Sequence, residues 1–129
     1  MHQEGPRNIG LSSIKSYKFP ITAISSILHR VTGIMMVIAL PFLLWAFAIS
    51  LSGEASFNGV ATLLSSTGVS FFAWLFLSMI SYHIIAGVRH MIMDIGFGES
   101  MCAAKATSLL VIVLGALVAV FWGVWIWVM

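Results

Sequence analysis

Five ionisable side chains of this chain fall where they are expensive: His29, Arg30, His83, Arg89 and His90 lie in or beside long apolar runs. Burying such groups in a membrane costs free energy, so each is a candidate for function. The stretch "SYHIIAGVRHMIMD", residues 81–94, gathers most of them. If its apolar run ends near Arg89, His83 sits six residues inside, ~9 Å from the boundary. A neutral imidazole at that depth is either hydrogen-bonded to a neighbouring helix or an axial ligand to haem iron, a common role for histidine. Gly87, at i+4 on the same face, leaves room for a flat macrocycle or for a close helix. His90 follows two turns later on nearly the same face, its ring ~10 Å further along the axis. The two histidines cannot share one iron, but they could serve two points of one prosthetic group. For His90, at the boundary, an interfacial histidine is the simpler reading. Asp94, at i+4, could orient the His90 ring. Arg89 most simply snorkels and anchors the helix end.

A second constellation is "SSILHRVTG", residues 25–33. Ser26 and Arg30 stand at i and i+4 and share a helix face, with His29 beside it. A hydroxyl one turn from a guanidinium can hold a ligand whose carbonyl oxygens gain negative charge on reduction, and a quinone is such a ligand. The plainer alternative is a snorkelling helix start. Both constellations lie at the same depth, which favours one shared site. A haem with its iron near His83 and its propionates near His29 and Arg30 would use the costly residues together.

These residues need elements to hold them. The chain has 129 residues, 60% hydrophobic and 8% charged, which is too apolar for a soluble domain of this size. Its net charge of +2 gives no argument for nucleic acid, and the lone cysteine, Cys102, forms neither an internal disulfide nor a thiolate cluster. The N-terminal residues do not read as a cleaved signal, because the first apolar run begins only near Phe19. Segments 31–51, 68–88 and 108–129 are each long enough to cross a bilayer as a helix of ~32 Å. Arg7, Lys15, Lys18 and Arg30 precede the first, Arg89 and Lys105 lie between the second and third, and the first loop has no basic residue. The positive-inside rule therefore puts the N-terminus and the second loop in the cytoplasm. Pro20 suits a helix start, so the first helix runs past the hydrocarbon core. The extra turns tilt, bend along the interface or are covered by a partner. The expected fold is all-α: an integral membrane protein with three transmembrane helices plus a short N-terminal interfacial helix, in a single domain over residues 1–129.

With these residues in view, "FPITAISSILHRVTG" (19–33) and "YHIIAGVRHMIMD" (82–94) resemble the two signatures of the cytochrome b556 subunit of succinate dehydrogenase, in its bacterial form. The first pattern is a serine, two apolar residues, His-Arg, a hydroxyl residue and glycine. The second is His, three residues, Gly, one residue, Arg-His and a nearby Asp. The N-terminal residues match only loosely, around Pro6 and Asn8.

The resemblance implies a membrane anchor of complex II in the bacterial cytoplasmic (inner) membrane, with the N-terminus cytoplasmic. It implies haem b, shared with a second membrane-anchor subunit, with His83 as one axial ligand of the iron. His29 and Arg30 would lie by the propionates, and His90 would be a propionate-side or structural residue. Ser26 and Arg30 would bind ubiquinone as substrate, beside an iron–sulfur subunit. The chain would not be catalytic alone: succinate would be oxidised on a partner flavoprotein, and this chain has no Gly-rich dinucleotide loop or cysteine cluster to replace it. The alternatives are a fumarate reductase-type quinol-oxidising anchor, a cytochrome with His29 and His83 as both axial ligands, and a small transporter or channel protomer.

Overall fold

A computed structural model describes residues 18–129. The loose N-terminal match, and the basic residues Arg7 and Lys15, lie outside the described residues. The elements are α1 (Ile21–Ser50), α2 (Glu54–Leu64), α3 (Thr67–Asp94) and α4 (Met101–Val128), with no strand among the described residues.

The three long helices coincide with the expected spans and overrun them. Helices of 30, 28 and 28 residues extend ~42–45 Å against a hydrocarbon core of ~30 Å. Pro20, in an extended conformation, stands just before the first turn of α1. From there the helix is unbroken to Ser50, so the extra turns around Ser25 and His29 continue the first span. Pro41 sits inside α1 and supplies no N–H to the carbonyl of Val37. The first loop carries the short helix α2, which composition did not reveal. Between α3 and α4 the chain reverses through Gly96 (φ 88°) and Gly98 (φ 79°), conformations that an L side chain resists. Ser100 then caps α4 by accepting a hydrogen bond from Ala103 N.

The packing is that of a membrane bundle. α3 lies against both α1 and α4, and α1 also meets α4. The buried residues are mostly small or polar: Ser25, Thr32, Ala86, Ala104, Ser108, Val111 and Gly115. The large apolar side chains of all three long helices face outward. Without a hydrophobic drive between helices in lipid, small residues allow close approach and polar side chains tie the helices together. The Tyr82 hydroxyl donates to Ser25 O at 3.1 Å, joining α3 to α1. Trp74 Nε1 donates to Ala119 O at 2.8 Å, and Trp122 Nε1 to Ser81 Oγ at 3.1 Å, joining α3 to α4. Gly115 makes room for Tyr82: a Cβ at 115 would stand 2.5 Å from Tyr82 Cδ2.

Candidate functional site

The bundle brings three histidines together. His29 comes from α1, and His83 and His90 from positions two turns apart on α3. The His29 ring stacks on His83, with centroids 4.1 Å apart and 21° between planes. On its other flank it meets His90, at 5.1 Å and 44°. His29 thus bridges the two α3 histidines that helical periodicity put on one face. Asp94 does not orient His90; it is exposed, and the His90 ring lies against His29 instead.

The setting of His83 determines what its two nitrogens can do. Nδ1 is 3.0 Å from the carbonyl oxygen of His29 and 3.1 Å from Thr32 Oγ1. A carbonyl can only accept, so Nδ1 carries the proton. The Thr32 hydroxyl directs its own hydrogen at Leu28 O or His29 O, each 2.9 Å away, and so offers a lone pair to His83. In the neutral ring the lone pair is then on Nε2. Gly33 forms the floor under this ring: a Cβ there would stand 3.0 Å from Cε1 of His83. Gly87 does the same for His29, whose Nε2 lies 3.5 Å from where its Cβ would be. The space left by Gly87 is therefore taken by a side chain of the neighbouring helix. Nε2 of His29 is buried and has no hydrogen-bond partner among the described residues. Such an atom costs about 1–3 kcal/mol unless something outside the chain satisfies it.

Ser26 and Arg30 point away from this cluster. Ser26 is half-buried and Arg30 exposed, and neither side chain makes a hydrogen bond among the described residues. Its neighbour Ser25 takes the interior position and is completely buried under Tyr82. The pair stays open to a partner or ligand on the flank of α1. Arg89 departs from expectation. It does not snorkel: it is 8% exposed, with Nε donating to Thr107 Oγ1 at 3.0 Å and Nη2 to Ala104 O at 3.2 Å on α4. The second loop folds α4 back against α3, so the side chain meets a helix where open interface was expected. Thr32 and Tyr82 were not foreseen as supports of the site. Thr32 bonds main-chain oxygens of its own helix and meets the His83 ring across the bundle, while Tyr82 donates to a main-chain oxygen of α1; no sequence spacing encodes these cross-helix contacts.

Fold and site together define an integral membrane helical bundle with a histidine cluster near one end of its spans. A family model described as succinate dehydrogenase/fumarate reductase transmembrane subunit matches residues 7–125. The chain belongs to this family. A succinate dehydrogenase cytochrome b556 subunit of Coxiella burnetii is 32% identical over 128 residues, covering 98% of this chain and 100% of its own. The subunit of the same name from Rickettsia bellii is 32% identical over 109 residues, 78% of each chain. A succinate dehydrogenase cytochrome b560 subunit of Reclinomonas americana is 37% identical over 89 residues, 63% of this chain and 60% of its own. The chain is therefore a membrane subunit of an enzyme complex, in keeping with the resemblance carried by its two motifs.

Proposed function

We propose that this subunit anchors a succinate:ubiquinone oxidoreductase in the bacterial cytoplasmic membrane, N-terminus inside, and that it holds haem b and ubiquinone at the cytoplasmic end of its bundle. The observation that carries the reading is the fixed tautomer of His83. A histidine bound to a metal almost always donates its other ring N–H to a carbonyl or carboxylate, which orients the ring and raises its basicity. Here the His29 carbonyl and Thr32 hydroxyl take the Nδ1 proton, and Nε2 is left as a ligand atom. A second observation that suits haem is the buried Nε2 of His29, which has no hydrogen-bond partner among the described residues.

In this reading His83 would hold the haem iron together with a residue of the second membrane-anchor subunit. His29 and Arg30 face the propionates, and His90 supports the His29 ring. Haem b supplies one-electron transfer when bound. The stacked pair His29–His83 speaks against a cytochrome that uses both as ligands: rings 4.1 Å apart are in van der Waals contact and leave no room for a macrocycle between them. Ser26 and Arg30 hold the quinone, with the hydroxyl and guanidinium directed at carbonyl oxygens that become more negative on reduction. An iron–sulfur subunit covers the first turns of α1 and brings electrons from succinate, which is oxidised on the flavoprotein subunit. A fumarate reductase-type anchor that oxidises quinol would use the same residues in reverse, and the family takes in transmembrane subunits of both enzymes. A transporter is disfavoured because residues 31–50, 67–82 and 106–129 contain no ionisable acid, base or histidine at mid-membrane depth.

The deciding experiment is an optical spectrum of the complex purified in mild detergent, with its subunits identified, for wild type and His83→Ala. Haem b in the wild type and its loss in the variant, with the subunits still associated, is the expected result. Haem retained at the wild-type level in His83→Ala would falsify the ligand assignment.

A further inference from the structure

We propose that the groove between α3 and α4 holds an anionic phospholipid, its phosphate on Arg89 and one acyl chain in the apolar trough beside it. The groove lies on the side of α3 away from the histidine cluster and does not depend on the haem and quinone assignments. Arg89 is buried, yet its partners are both neutral, Thr107 Oγ1 and Ala104 O. No carboxylate among the described residues pairs with it, and its Nη1 has no partner among them. A buried guanidinium without a counter-charge is strongly unfavourable, so the site calls for an anion.

The cavity that Arg89 lines selects the kind of anion. Its volume is ≈ 360 Å³, and Ile85, Val88, Ile92, Leu110 and Leu114 are among the apolar residues of the remaining wall. Arg89 stands five residues from the end of α3, ~7.5 Å along the axis and so near headgroup level. Ile85 lies one turn deeper on α3, and Leu114 nearly two turns deeper than Thr107 on α4. The site is therefore charged at its mouth and apolar in its depth, like a phospholipid. A soluble anion would leave the trough unused. An extended peptide would bring backbone groups that these walls cannot satisfy. The guanidinium's free edge suits a phosphodiester, and Lys105, exposed next to Ala104, adds positive charge at the same end.

The test is native mass spectrometry of the intact detergent-extracted complex, equilibrated with phosphatidylglycerol or with phosphatidylcholine. Wild type should retain phosphatidylglycerol with roughly tenfold preference, the scale of one charge-assisted contact. Arg89→Gln should abolish the preference. Leu114→Trp, which fills the trough and leaves Arg89 alone, should expel the lipid, and it carries the test if Arg89→Gln does not assemble. Equal retention by wild type and both variants overturns the proposal. So does a wild-type complex that retains no phospholipid, which would leave a partner subunit's carboxylate as the counter-charge, and so does Arg89-dependent retention of inorganic phosphate alone.

Discussion

His83 and His90 differ by more than depth. His83 has its Nδ1 held by a main-chain carbonyl and a threonine from α1, whereas His90 has only the face of another imidazole. A ligand atom needs a fixed tautomer, and only His83 has one. Depth along the helix already separated the two from sequence alone; the tautomer did not follow from it, because the carbonyl that sets it belongs to another helix. Ser26 and Arg30 carry the corresponding prediction for the quinone. Both lack partners among the described residues, so their alanine variants should disturb ligand binding more than folding. Ser26→Ala and Arg30→Ala are expected to lower succinate-dependent quinone reduction by roughly tenfold or more, the scale of losing a hydrogen bond to a charged group. Succinate oxidation with an artificial acceptor should be unchanged. Equal loss of both activities would count against the quinone role.

At the scale of the helices, contact depends on what is missing from side chains. Gly33 and Gly87 let His83 and His29 lie flat against the opposing helix, and Gly115 lets Tyr82 cross to Ser25. Gly87 was visible in the sequence as a space, and Gly33 only as the last residue of its motif. Gly115 was not, since it sits in a span that resembled any other apolar helix. Its Cβ would meet Tyr82 Cδ2 at 2.5 Å, so Gly115→Ala forces the phenol aside. Overpacking of this kind costs about 1–3 kcal/mol. Gly115→Ala should lower the thermal stability of the detergent-purified complex by more than Tyr82→Phe does, which removes only one hydrogen bond of about 1 kcal/mol. A smaller effect for Gly115→Ala would mean that the ring has room to move.

For the whole molecule, the outward-facing apolar side chains and the inward-facing small ones define its solvent as lipid and neighbouring subunits. The charges define its direction. Arg30, Arg89 and Lys105 lie at one end of the described bundle, together with the histidines, and Cys102 is exposed at that same end. A membrane-impermeant maleimide should therefore label Cys102 in inverted membrane vesicles and not in right-side-out ones. The opposite pattern would reverse the orientation. If neither orientation labels, detergent solubilisation distinguishes a covered thiol, which then reacts, from an unreactive one.

The sequence by itself determined that the chain is a three-span membrane protein, which end of the bundle gathers its histidines and arginines, and which histidine of residues 81–94 lies deeper in its span. Those properties follow from the cost of placing each residue type in lipid, a cost read position by position along the chain. Only the tertiary structure decided the tautomer of His83, the stack with His29 at its centre, the place of Tyr82 over Gly115 and the burial of Arg89 against α4. Each of these depends on the rotation and approach of one helix against another. That geometry is set by small residues and by hydrogen bonds to main-chain oxygens, which leave little periodic signature in the sequence.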